Sequence, residues 1–201
     1  MAITKNNLQD LTDLDDKLVI NRALGLVLSG TGPRTQPSAA FANSFVRLTD
    51  RSILEHELAR EELTSFIDYR SIQSFFRAQG HLETCIESMH RALNFAEALR
   101  RIGLKLPDGT ALISRAKDSE ILSSPVRKRI RDLRHAIQHV EERLINSGAP
   151  VGKPIALNPD NNGVSLEGVT ITYDELARWL RELHKLAMYL NHYKEPAKQS
   201  P

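Results

Sequence analysis

Between Pro125 and Pro150 the chain carries Val126, Ile130, Leu133, Ile137, Val140 and Leu144, an apolar residue every four and then three positions. Only an α-helix places such positions on one face; a strand would send neighbours to opposite sides. Ser124 as N-cap and Pro125 at the first helical position mark its start, and Gly148 and Pro150 mark its end. A stripe of this length has to be covered by other elements. It therefore commits the chain to helices packed around a shared core.

The rest of the chain repeats that theme until near its end. A first helix is expected from about Leu8 to Leu28, broken by Gly30-Thr31-Gly32-Pro33. A second begins near Ser38 and runs through Phe66, with Asp50 able to cap a new helix at a kink near Thr49-Asp50. A third spans Ile72 to Ile102, weakened by Gly80 and ended by Gly103 and Pro107-Asp108-Gly109. After the fourth helix come Pro154-Ile155-Ala156-Leu157 and a turn-rich Asn158 to Gly163. Val164–Leu166, Glu167-Gly168 and Val169–Thr172 then read as strand, turn, strand. Thr172 and Glu175 form a capping box, and Leu176, Trp179, Leu180, Leu183, Leu186, Ala187 and Leu190 give the last helix one broad apolar face. The expected fold is mainly α: a bundle of about five helices with a small β-hairpin inserted before the last. The expected division is a helical segment over 1–35, a helical domain over 36–195 with the hairpin at about 154–172, and a disordered tail over 196–201.

Composition narrows the function classes. The 201 residues are 41% hydrophobic and 26% charged, as in ordinary globular proteins. A net charge of +2 means that any polyanion site must come from local clustering. Cys85 is the single cysteine, which excludes an internal disulfide or a thiolate zinc site and fits a reducing compartment. Met1 to Asn7 is polar with no signal-peptide core behind it, and the apolar run at Leu24–Leu28 is too short for a bilayer. The expectation is a cytoplasmic protein without membrane contact.

Chemistry concentrates in Leu133-Arg134-His135-Ala136-Ile137-Gln138-His139. An arginine fork suits two phosphate oxygens at once, and a histidine exchanges protons near neutral pH. At about 100° per residue, Arg131, His135, His139 and Glu142 lie opposite the apolar stripe, with Arg134 on its flank. Arg127, Lys128, Arg129, Arg131 and Arg134 crowd two turns against Asp132 alone, a local attractor for phosphate, with Arg127, Lys128 and Arg131 as candidate RNA contacts. Spacing by itself is weak, since Arg51…His56 and Arg178…His184 share it. The first sits among glutamates and reads as surface; His184, beside Trp179 and Leu183, reads as a packing histidine. His81 and His90 have no partner in the sequence. His135 and His139 have zinc-ligand spacing, but no glutamate follows the first histidine, so no metal is expected. Cys85, between Leu82 and Met89, reads as a buried apolar group. The competing reading of the whole stretch is a solvated helix face.

The string Leu133–His139 resembles the signature of the HEPN superfamily (higher eukaryote and prokaryote nucleotide-binding domains): an arginine, a polar residue, and a histidine four to six positions further, on a late helix of a helical bundle. The resemblance extends over about residues 40–193. It implies a metal-independent endoribonuclease acting as a homodimer, with Arg134 and His139 as the catalytic pair and His135 as the polar residue, where the family more often has asparagine or aspartate. It implies RNA as substrate, no cofactor, and a toxin–antitoxin or antiviral setting with a cognate antitoxin or defence partner. Other members are silent dimerisation modules, which is the alternative for this chain. Cleavage by the RNA's own 2′-hydroxyl needs a base, an acid and charge stabilisation at phosphorus. A two-fold dimer would bring two copies of Arg134 and His139 to one cleft.

Overall fold

The computed structural model describes residues 3–14, 17–33, 35–104, 119–147 and 156–194. In chain order the helices are α1 (Leu18–Leu24, continued by a π-helical turn over Gly25–Ser29), α2 (Ser38–Tyr69), α3 (Ile72–Ile102), α4 (Ser124–Gln138), α5 (Val140–Ser147) and α6 (Tyr173–His192). Strands β1 (Asn158–Pro159), β2 (Gly163–Leu166) and β3 (Val169–Thr172) precede α6 as an antiparallel sheet in the order β1-β2-β3. A mainly helical protein with a small sheet before its last helix is what the residue pattern predicted.

The frame is an αα-hairpin. α2 and α3 are each over 30 residues long, about 45 Å, and only Arg70 and Ser71 separate them. Arg70 takes the left-handed conformation (φ 54°) that ends α2, and the Ser71 hydroxyl accepts from the Ser74 amide to start α3. Leu63 of α2 and Leu82, Cys85, Ile86, Met89 and Leu99 of α3 are fully or almost fully buried in the core. α4 and α6 pack on this hairpin. Val126, Ile130 and Leu133 of α4 and Trp179, Leu180 and Leu183 of α6 enter the same core.

Three boundaries differ from the pattern. No new helix begins at Thr49-Asp50: α2 is continuous over Ser38–Tyr69, with Thr49 and Ser52 buried and the Ser52 hydroxyl donating to the Thr49 carbonyl (2.8 Å) inside the helix. The expected helix over 8–28 exists only from Leu18. Over residues 3–14 the Asn6 and Asp10 side chains accept from the amides of Leu8 and Thr12, two residues on, which favours turns over helix. That segment instead lies as a strap. Asn161 accepts from the Thr4 amide, Glu57 accepts from the Leu11 amide, and Ile3, Leu8 and Leu11 join the core. The third difference is in the helix that bears the candidate site. Ser123, not Ser124, is its N-cap, and it stops at Gln138 with His139 as C-cap (φ −98°, ψ 14°) before α5 resumes.

The hairpin matches its expectation closely. Glu167 and Gly168, both at positive φ, turn β2 into β3, and Leu166 pairs with Val169. Asn158–Pro159, read from the sequence as turn, adds a third strand against Ser165 and Val164. The Thr172/Glu175 capping box starts α6, and Tyr173 donates its hydroxyl to the Asp160 carbonyl (3.0 Å). The expected helix end at Gly148 and Pro150, the turn at Pro107-Asp108-Gly109, the start of the hairpin region at 154 and the tail beyond Glu195 lie outside the described residues.

One consequence concerns acid stability. The Arg129 guanidinium, ahead of the amide and hydroxyl of Thr172, holds the Glu175 carboxyl down at about 2. A carboxyl depressed on folding contributes stability that is complete above its unfolded value and is lost as pH falls toward the folded one. Wild type is therefore expected to lose melting temperature more steeply than Glu175→Gln between pH 5 and pH 2. Glutamine keeps the cap but not the charge. Parallel acid melts of the two proteins check this; identical slopes would remove the Arg129–Glu175 pair from the account.

Candidate functional site

α4 is oriented by its apolar stripe. Val126, Ile130, Leu133 and Ala136 are buried, whereas Ile137 and Val140 are only half-buried, because the stripe leaves the core as the helix nears its break. The opposite face presents Lys128, Arg131, His135, Gln138 and His139 to the exterior. His135 and His139 lie one helical turn apart, and their rings stack with centroids 6.0 Å apart and planes 14° from parallel. The His139 backbone sits in the bridge region, yet its amide still donates to the His135 carbonyl (3.1 Å). Nδ1 of His139 is 2.9 Å from Oε2 of Glu142 in α5. A carboxylate only accepts, so this contact puts a proton on Nδ1 and the lone pair of the neutral ring on Nε2.

Arg134 is on the flank of the stripe, as the helical geometry predicted, and it meets α3. Its Nε donates to Oε2 of Glu87 at 2.8 Å, and Gln138 reaches the same oxygen at 3.5 Å. The arginine side chain is 23% exposed, so it is a tie between two helices with one edge still reaching solvent.

The basic cluster is less bare than the sequence suggests. Besides Asp132, three carboxylates brought in by tertiary packing answer it. Arg127 meets Glu97 of α3 (3.2 Å), Arg129 meets Glu175 of α6 (2.7 Å), and Arg134 meets Glu87. Arg129 also donates to the Thr170 carbonyl and lies over the Trp179 ring, 5.4 Å from its centre. It is a strut for the sheet and α6, not part of the outward face. Lys128 and Arg131 share Asp132.

Two residues not singled out from the sequence as part of the site belong to this surface. Glu87 is one and His90 is the other. Burial, with Arg134, His135 and Arg131 adding to it against the opposing pull of Glu87, lowers the affinity of the His90 ring for a proton. A signal for both was present. Glu87, His90, Asn94 and Glu97 recur at steps of three, four and three, a polar stripe beside the apolar one on α3.

The remaining candidates resolve as follows. The reading of Arg51/His56 as surface is corrected: His56 and Glu55 are buried, and only Arg51 is exposed, because α2 turns this edge toward α3. Glu55 there accepts from His81 at 2.6 Å and pairs with Arg51. His184 is half-buried on α6. Cys85 is fully buried, and burial, with the Glu55 charge adding to it, pushes its thiol far above the range of a reactive cysteine. Among the described residues no three histidines, cysteines or carboxylates are grouped to hold a metal ion, and no helix is long and apolar enough to cross a membrane.

Comparison with protein-family models, with curated proteins and with solved structures gives no match to this chain.

Proposed function

We propose that this protein is a metal-independent endoribonuclease of the HEPN type, acting as a homodimer in a toxin–antitoxin or antiviral setting with a cognate antitoxin or defence partner. The observation that carries this reading is the end of α4. There His139 stands at a helix break on the exposed face, stacked on His135 and paired to Glu142, five residues beyond Arg134. In the proposed reaction the ribose 2′-oxygen attacks phosphorus and its proton passes to Nε2 of His139. The bond from phosphorus to the 5′-oxygen breaks, and the histidine of a second copy protonates that leaving oxygen. The products are a 2′,3′-cyclic phosphate and a 5′-hydroxyl. Glu87 takes the Nε–H of Arg134, so the two terminal amino groups of the fork are the ones to meet the phosphoryl oxygens.

The test is incubation of the purified protein with single-stranded RNA in EDTA, with end-group analysis, beside sedimentation at tens of micromolar. Cleavage to cyclic-phosphate ends by a dimer is expected. Dependence on Mg²⁺ or Zn²⁺, or a monomer, counts against it. Arg134→Lys is expected to fold, dimerise and bind RNA nearly as wild type but to cut poorly, because a point charge replaces a planar fork. Full cleavage by that variant would reduce Arg134 to a general positive charge.

A second reading is favoured by the Arg134–Glu87 ion pair. If that pair serves only to tie α3 to α4, the chain is a catalytically silent HEPN-like module that dimerises through the same face within a defence or regulatory complex. Glu87→Gln separates the two. Release of the arginine leaves cleavage intact or higher in a nuclease, whereas a silent module shows no cleavage in either form.

A further inference from the structure

Beside the Arg134 site, α3 and α4 enclose a cavity of about 300 Å³, lined by His90, Leu93, Asn94, Arg127, Lys128 and Arg131, with Ser124 at its rim. Among the described residues no carboxylate lines it. The carboxylates that answer its cations stand outside and are shared: Glu97 serves Arg100, Arg101 and Arg127, and Asp132 serves Lys128 and Arg131. Three cations of the wall, Arg127, Lys128 and Arg131, stand against those two carboxylates, and Glu97 is further divided with Arg100 and Arg101, so the wall keeps a net positive charge. His90 adds a polar atom without an assignment. Its Nδ1 is shielded from solvent and has no hydrogen-bond partner among the described residues. Asn94 supplies both a donor and an acceptor. A groove of this volume is at the lower end for ligand sites, enough for a phosphate and part of a nucleoside.

We propose that this groove is a second phosphate subsite, which holds a phosphodiester of the RNA strand away from the scissile position. Arg131 is eight residues before His139, about 12 Å along the helix axis, so a phosphate seated in the groove lies upstream of His139 along α4. The strand would run along α4 from the groove toward His139. Arg127, Lys128 and Arg131 would neutralise the bound phosphate, and Asn94 and His90 would sit beside it. The groups facing His90 are Arg131, Arg134 and His135 from α4 and Glu87 from its own helix. Burial and the three α4 groups favour the neutral ring against the pull of Glu87, and a bound phosphate dianion or diester opposes that bias. The proposal rests on the ribonuclease reading for its substrate but not for its test.

The test is binding of a 2′-O-methyl RNA twelve-mer, which cannot be cleaved, to the full chain at several salt concentrations, with inorganic phosphate as a second probe. Arg131→Gln is expected to weaken RNA binding several-fold and to lower the slope of log affinity against log salt by close to one. Arg77→Gln, an exposed arginine of α3 about 20 Å along the helix from His90, is expected to change neither. The His90 ring protons are expected to shift, and their titration to move to higher pH, when RNA binds. Thermal melts confirm that the variants are folded. Unchanged affinity and slope in Arg131→Gln overturn the proposal, even if wild type cuts RNA and His139→Ala does not. So does an effect of Arg131→Gln on inorganic phosphate alone, which would mark a site for a small anion. Weakened RNA binding with no cleavage by any variant supports the groove and rejects the nuclease.

Discussion

His139→Ala is expected to lower RNA cleavage on the order of a hundredfold or more while it leaves the protein folded. The loss follows from the removal of the only proposed proton carrier, and general acid–base groups contribute about that much. The fold is spared because the side chain is 54% exposed and meets the exposed Glu142 and the exposed His135 ring. Stability is expected to stay within about 1 kcal/mol of wild type, because His139 closes α4 through its backbone amide to the His135 carbonyl, a bond that alanine keeps. Cleavage rates and thermal melts on the same preparations check both halves. Undiminished cleavage removes His139 from the mechanism. A collapse of the melt would mean that the helix break at this position is held by the side chain, and the rate loss would then carry no catalytic meaning.

Leu133→Ala is expected to have the largest effect on stability, about 2–5 kcal/mol, because a fully buried side chain is replaced by a cavity at the place where α4 meets the α2–α3 hairpin. Denaturant unfolding measures it. The sequence stripe alone would rank Ile137 beside Leu133. The structure separates them: Ile137 is half-buried, so Ile137→Ala should cost distinctly less. Equal losses at the two positions would mean that a further surface covers the end of α4 in solution.

Helices α2, α3 and α6 were legible in the sequence because their signals are local. Apolar residues recur at helical spacing, Ser71 and the Thr172/Glu175 box satisfy free amides at helix starts, and Gly103 and Gly168 supply positive φ where a turn needs it. Each of those depends on residues within one or two turns of one another. The outward placement of His135 and His139 follows from the same periodicity. Local cues were also what misled. Thr49-Asp50 has the residue types of a cap, but α2 runs through it unbroken with Thr49 and Ser52 buried in the packing of the hairpin. The apolar spacing over Leu8–Leu14 looks helical, but Asx-type bonds and the pull of Glu57 and Asn161 drew that segment out as a strap.

What the order of residues by itself determined is the set of helices, the sheet before α6 and the face of α4 that carries Arg134, His135 and His139. Only the tertiary structure decided what those side chains meet. Glu87 lies 47 residues before Arg134, and Glu175 lies 46 after Arg129. The packing of α3 and α6 against α4 turned a row of bare cations into one strut, one interhelical tie and one charged groove. The reason is physical. Helix periodicity is fixed by backbone geometry over a few residues, whereas the charge that a cation finally presents depends on which carboxylates the core brings within about 4 Å of it.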